Sequence, residues 1–262
     1  MGIWIGICVV AVLVLCLLFY MWKLARENNL KEDVLYFDHF PLSFGNIKIF
    51  FISDIHKRMI DLELIDQVGR VDVVVIGGDL AEKGVSFEQI KENINRLKKI
   101  GPVYFVWGNN DYELDYHLLD ATLLDLGVKI LDNTAVLFES KTGDKISLLG
   151  VDYIGFERAR LDFALQDSEE GTFKILVSHS PAIVPQVKEK HDISLALFGH
   201  THGGQIRIFG FGRYQLGGFE KHGNTLTLTS NGYGTTFLPL RLGAKAETHL
   251  LTIKNSSEKK ND

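Results

Sequence analysis

The 262-residue chain carries 33 acidic against 28 basic side chains and no long basic block, a formal charge of −5 that excludes the electrostatic footprint of a nucleic-acid binder. Both of its cysteines, Cys8 and Cys16, fall near the amino terminus, so disulfides cannot staple the rest of the chain. The length suits one domain of about 200 residues plus an appendage.

Residues 3–22 contain no charged side chain and are rich in Val, Leu and Ile, a run long enough to cross the roughly 30 Å hydrocarbon core of a bilayer. A cleaved signal would show a basic start, a shorter apolar core and a small-residue cleavage site, whereas here Met21-Trp22-Lys23 follows the run directly. The expectation is therefore a transmembrane anchor over residues 1–22, with a cleaved signal and a buried core helix as the alternatives. Lys23, Arg26 and Lys31 follow the span and no Lys or Arg precedes it. That asymmetry predicts a single-pass protein of the cell membrane with its domain in the cytoplasm, the extracytoplasmic side being the alternative. Residues 23–45 are polar with scattered aromatics and a proline, which fits a linker or stalk, or else an edge strand packed on the domain.

The folded body is expected over residues 46–254, followed by a polar tail over 255–262. Residues 47–52 are mostly apolar, the mark of a strand buried on both faces. Leu62, Ile65 and Val68 then recur at helical spacing and stop at Gly69. A second strand is predicted over 71–76, a second amphipathic helix through Phe87, Ile90, Ile94 and Leu97, and a third strand over 103–107. This β-α-β-α-β alternation argues for an α/β fold with a parallel sheet. The second half reads as richer in strands, at 135–139, 145–150, 174–177, 195–198, 225–229 and 248–253. Between Gly203 and Gly223 seven glycines interleave with Phe209, Phe211, Tyr214 and Phe219. That stretch fits either a mobile loop touching substrate or membrane, or a solvated hairpin.

Chemistry collects where the apolar runs stop. Asp54 and His56 follow 47–52, Asp79 follows 71–76, Asn109 follows 103–107, His179 follows 175–177, and His200 and His202 follow 195–198. In an open α/β sheet, sites form outside the carboxyl ends of the strands, so these side chains are expected to converge. Imidazole, carboxylate and amide donors together suit Mn²⁺, Fe or Zn²⁺ better than Mg²⁺, which prefers oxygen octahedra. His117, His191, His222 and His249 follow no such run and read as surface or packing residues. Lys57 and Arg58 fit either solvated charges or partners for a phosphate.

With Asp54-Ile55-His56, Gly77-Gly78-Asp79, Gly108-Asn109, His179 and Gly199-His200-Thr201-His202 in this order, residues 46–254 resemble a calcineurin-like metallophosphoesterase. The text after the histidine pair, Gly203-Gly204-Gln205-Ile206-Arg207 and later Ser230-Asn231-Gly232-Tyr233-Gly234, is similar to a bacterial, membrane-associated subgroup. The resemblance implies a four-layer α-β-β-α sandwich of two mixed sheets behind the single transmembrane helix. It implies two divalent metal ions: Asp54, His56 and His202 on the first, Asn109, His179 and His200 on the second, and Asp79 between them. Such a pair would serve as charge clamp and nucleophile source for hydrolysis of a phosphodiester or pyrophosphate, with catalytic roles on Asp79, His200 and Asn110. By analogy, the phosphate-ester substrate would be lipid-linked or nucleotide-linked. One departure stands out. Where the family commonly has Gly-Asn-His-Asp this chain has Gly108-Asn109-Asn110-Asp111, so the residue often credited with protonating the leaving oxygen is an amide, which cannot act as an acid. That loss also fits the alternative of a catalytically weak or inactive binding scaffold on the same fold.

Overall fold

A computed structural model describes residues 2–260. Its elements in chain order are α1 (Gly2–Leu24), β1 (Asn29–Phe37), β2 (Asn46–Ile52), α2 (Leu62–Val68), β3 (Val73–Ile76), α3 (Phe87–Lys98), β4 (Val103–Phe105), α4 (Tyr116–Asp125), β5 (Lys129–Ile130), β6 (Thr134–Glu139), β7 (Lys145–Gly150), α5 (Leu161–Asp167), β8 (Phe173–Val177), β9 (Ile193–Phe198), β10 (Gly218–His222), β11 (Thr225–Thr229) and β12 (Glu247–Asn255). Two six-stranded mixed sheets result, ordered β1-β12-β2-β3-β4-β5 and β10-β11-β9-β8-β7-β6.

The period of two along each strand divides the side chains among three cores. Phe50 and Ile52 point to a core shared with Leu64 and Ile65 of α2, Ile90 and Ile94 of α3, and Leu119 and Leu123 of α4. Their neighbours Ile49 and Phe51 point the other way, against Ile146, Phe173, Ile175, Leu195 and Leu197 of the second sheet. Leu149, Leu176, Ala196 and Phe198 face outward from that sheet onto Leu161 and Ala164 of α5. The layers therefore run helix, sheet, sheet, helix, and strands with both faces covered need unbroken apolar runs.

Residues 23–45 are structured rather than a free stalk: β1 pairs in parallel with β12, from Asn29 opposite Glu247 to Phe37 opposite Asn255, and forms the edge of the first sheet. The stretch from Gly203 to Gly223 ends in β10, which closes an antiparallel hairpin with β11. Asn255 ends β12, a 3-10 turn covers Ser256–Lys260, and the last two residues of the polar tail lie outside the described residues. In α1, Met21 and Leu24 are buried against the domain while residues 2–20 are exposed, so most of the helix projects from the body. It is long and apolar enough to cross a membrane.

Candidate metal centre

The loops that follow β2, β3, β4, β8 and β9 meet at the carboxyl edges of both sheets. The backbone interlocks them: Asp54 N donates to Gly78 O at 3.0 Å, Ile55 N to Asp79 O at 2.8 Å and Gly199 N to His179 O at 2.9 Å. Five of the seven candidate residues, Asp54, His56, Asp79, His200 and His202, have positive φ, between 50° and 71°. Each such residue costs on the order of 1–3 kcal/mol, a strain that persists only where surrounding contacts over-determine it.

The structure brings all seven sequence-predicted residues to this one edge. His202 Nε2 lies 3.3 Å from Asp54 Oδ1 and 3.1 Å from His56 Nε2. Across the site, His179 Nε2 lies 3.2 Å from Asp79 Oδ2 and 3.2 Å from His200 Nδ1. Asp79 Oδ2 is also 3.8 Å from His56 Nε2, so one carboxylate faces an imidazole of each group. The donor atoms of Asp54, His56 and His202 lie within 4.8 Å of one another, as do those of Asp54, Asp79 and His179, which makes both trios candidate metal-binding groups with Asp54 in reach of each. Asn109 contributes a buried Oδ1 that has no hydrogen-bond partner, while its Nδ2 donates to Asn110 Oδ1 at 2.7 Å. An orphaned amide oxygen is costly to bury, and a divalent cation is the partner its surroundings fit.

Electrostatics agree with a site that gathers positive charge. Burial is the largest influence on His179 and opposes its imidazolium, but Asp79, by charge and hydrogen bond, together with Asp54 and the Gly77 carbonyl outweighs it and pushes the group up to about 10. Burial likewise raises the Asp79 carboxyl, yet His179 and then His56 hold it below the usual carboxylate range. For His56, burial is outweighed by Glu82, Asp79 and Asp54, and the net shift is upward. His200 is lowered by burial and by His179; His202 is lowered further, by burial, His56 and Arg241.

Four residues that no strand-end pattern marked hold this geometry. Asp111, fully buried, accepts from Asp79 N at 2.9 Å and Gly108 N at 2.8 Å on one oxygen and from Ala81 N at 3.1 Å on the other, which ties the loop after β3 to that after β4. Burial and then the Asp79 charge push its carboxyl up, and these N–H groups pull it back. Glu82 Oε2 lies 2.9 Å from His56 Nδ1, an ion-pair contact rather than a straight hydrogen bond, and its Oε1 lies 2.6 Å from Lys57 Nζ. Arg241 is fully buried without a carboxylate against it; its guanidinium donates to the carbonyls of Asn231 and Gly234 at 2.7 Å each and comes within 3.2 Å of His202 Nδ1. Tyr153 stands against the rings of His179 and His200, at centroid distances of 5.9 and 5.7 Å. Arg58 is neither solvated nor turned to the cleft. It donates to the carbonyls of Arg26, Glu27 and Tyr233 and stacks over the Tyr233 ring, tying the segment just past α1 to the domain. His249 packs in β12 with its Nε2 3.1 Å from Ser230 Oγ, while His117 lies on the surface.

The centre opens into a cleft of about 650 Å³ lined by Asp79, Asn109, Asn110, Tyr153, His200 and His202 together with Arg213, Tyr214, Phe237 and Leu238. Residues 47–204 match the family described as calcineurin-like phosphoesterase. The uncharacterized protein YpbG of Bacillus subtilis (strain 168) is 46% identical over 89% of this chain and 90% of its own length. Phosphodiesterase YaeI of Escherichia coli (strain K12) is 26% identical, covering 79% of this chain and 82% of that one. Among solved structures, a 5'-nucleotidase precursor from Thermus thermophilus shares the fold, with a TM-score of 0.50 at 14% identity over 79% of this chain and 55% of that one. By this match, and with these donors gathered at one edge, the chain belongs to the calcineurin-like phosphoesterase family and is a metal-dependent phosphoester hydrolase.

Proposed function

We propose that this chain is a membrane-anchored phosphodiesterase or pyrophosphatase that works with two divalent transition-metal ions. The observation that carries the reading is Asp79, whose Oδ2 lies between His179 Nε2 at 3.2 Å and His56 Nε2 at 3.8 Å. A carboxylate so placed suits a bridging ligand, with Asp54, His56 and His202 to one side and Asn109, His179 and His200 to the other. The mixed donor set favours Mn²⁺, Fe or Zn²⁺. When bound, such ions supply charge to the phosphoryl oxygens and lower the pKa of a water nucleophile.

The chain's own residues then orient the reaction. Asp111 and Glu82 fix the loops that carry Asp79 and His56, and Arg213 brings positive charge to the cleft wall. Asn110 donates from Nδ2 to Glu113 Oε1 at 2.9 Å and accepts from Asn109, so it sets the direction of the Asn109 oxygen and has no acid proton to offer. A leaving group that must depart unprotonated favours diester and pyrophosphate bonds with stable leaving anions over simple alkyl monoesters. The name of the Escherichia coli relative, a phosphodiesterase, supports the same class. The exposed apolar helix α1 supports a single membrane span, and Lys23 and Arg26 after it support a cytoplasmic domain.

Metal analysis of the full chain in detergent, after reconstitution with Mn²⁺, tests this reading together with turnover of bis-p-nitrophenyl phosphate. Close to two equivalents are expected in the wild type, with metal and turnover both lost in Asp79→Ala. Under half an equivalent in the wild type, or full occupancy in the variant, would sink the two-ion assignment.

A further inference from the structure

The cleft has a rim that the chemistry leaves unused. Ile206–Leu242 bridging and the bond from Arg207 N to Leu242 O, 2.7 Å, tie the segment after His202 to the segment before β12. Two turns project from this ladder, 208–211 and 237–240. Their side chains are apolar and unpartnered: Phe209 is 96% exposed, Phe237 93% and Phe211 83%, and Ile208 and Leu238 are more than half exposed. They are not loose ends. Arg207 donates to the carbonyls of Gly203, Gly210 and Tyr214, and Gln205 Nε2 donates to those of Thr236 and Leu238, so both turns are held from beneath.

The second turn's position relative to α1 says what covers it, and the ladder ties the first turn to the second. Arg241 N donates to Met21 O at 3.1 Å, which docks the second turn on the end of the helix. From there Pro239 and Leu240 line one shallow groove with Leu15, Leu18, Phe19 and Trp22. At 1.5 Å per residue, Leu15 lies about 10 Å further along the helix than Trp22. Trp22, with the Arg26 guanidinium 4.0 Å over its ring, is the aromatic-plus-basic pair typical of a membrane interface. With Trp22 at the interface, Pro239 and Leu240 share a groove with the α1 residues on its hydrocarbon side, and Phe237 and Leu238 of the same turn also line the cleft.

We propose that the turns 208–211 and 237–240 are seated in the bilayer interface, so that the cleft opens onto the headgroup layer and takes a phosphoester whose lipid portion stays in the membrane. This rests on reading α1 as a membrane span. Arg213 in the cleft wall and Arg26, which lines a groove with Pro239, match an anionic lipid surface. Burying two phenyl side chains is worth about 1.5–3 kcal/mol each, enough to hold a domain already tethered by a helix in one orientation.

The test uses the full chain in nanodiscs, with Cys8 and Cys16 replaced by serine and single cysteines at Phe209, Phe237, Val10 and Thr142 labelled with bimane. Thr142 lies in the β6–β7 turn, at the end of the sheet away from the metal centre. Spin-labelled lipids should quench positions 209 and 237 from a shallow nitroxide, Val10 from a deep one, and Thr142 from neither. Aqueous behaviour at 209 and 237 with Val10 still deep overturns the rim and leaves the anchor standing; an aqueous Val10 removes the anchor itself. A second arm reads turnover. Water attack on a phosphatidyl p-nitrophenyl diester breaks the P–O(aryl) bond and releases p-nitrophenolate and phosphatidic acid. The double variant Phe209→Ser/Phe211→Ser should lose about tenfold or more in kcat/KM on that lipid in vesicles, with bis-p-nitrophenyl phosphate turnover unchanged. Equal losses on both substrates, or none on the lipid, would refute the proposal.

Discussion

Asp111→Ala should be the most damaging single change outside the metal donors, because the fully buried carboxylate answers three backbone N–H groups at 2.8–3.1 Å. Truncation removes the acceptor of all three. At about 1–3 kcal/mol per orphaned donor the loss is about 3–9 kcal/mol, comparable to the whole stability of a typical domain. Asp111→Asn separates the charge from the shape. Its amide oxygen can keep the two bonds from Asp79 N and Gly108 N, leaving an NH₂ facing Ala81 N–H, a single mismatch of about 1–3 kcal/mol. Relief of the repulsion from Asp79, which pushes the native carboxyl up, moves that cost toward the lower end. For a domain of this size, 1 kcal/mol corresponds to about 2–4 °C, so Asn should lower Tm by about 2–12 °C and Ala by considerably more. Differential scanning fluorimetry of the full chain in detergent, with and without Mn²⁺, reads both. Metal affinity should fall in the same order, since the tie between the Asp79 and Asn109 loops is what is lost. An alanine variant melting within about 2 °C of wild type, or an Asn variant as damaged as Ala, would refute the reasoning.

Glu82→Gln keeps the fold but weakens the hold on His56 Nδ1, and calorimetric Mn²⁺ or Zn²⁺ titration should show affinity lower by about 10–100-fold at nearly unchanged Tm. Wild-type affinity would mean that Glu82 serves Lys57 alone. Gly78→Ala places a methyl 2.6 Å from His179 Nδ1 at a φ of +82°, which costs about 1–2 kcal/mol in backbone strain and displaces the ring from its bond to Gly77 O. Lower Tm together with weaker metal binding is expected, and retention of full affinity would show that the loop relaxes freely. Asn110→His restores an acid at the cleft: across aryl phosphodiesters of graded leaving-group pKa, kcat/KM should fall more steeply in the wild type than in the variant, where acid help is worth about 10²–10⁴-fold. Equal slopes would show that the missing acid is irrelevant to substrate preference.

Much of this molecule is written locally. The runs that became β2, β3, β4, β8 and β9 are apolar because both faces of each strand are covered, and each candidate ligand lies just past the end of its run, so their position in the sequence already pointed to one edge of the sheets. The exposed helix α1 was legible for the same reason, as a length and composition that water does not explain. What only tertiary structure decided is whatever depends on partners distant in the chain. Within 23–45, β1 is an edge strand because it pairs with β12, more than two hundred residues away, and nothing in its own pattern names that partner. In the sequence Asp111 is only the last residue of the Gly108-Asn109-Asn110-Asp111 motif, Arg58 a solvated charge or a phosphate partner, and Glu82 and Arg241 carry no assigned role. Their roles follow from backbone N–H groups, carbonyls and an imidazole that reach them only when loops from different strands converge. The left-handed backbone at Asp54, His56, Asp79, His200 and His202 was equally invisible, because residue type permits positive φ in these side chains without requiring it; the interlocked loops impose it.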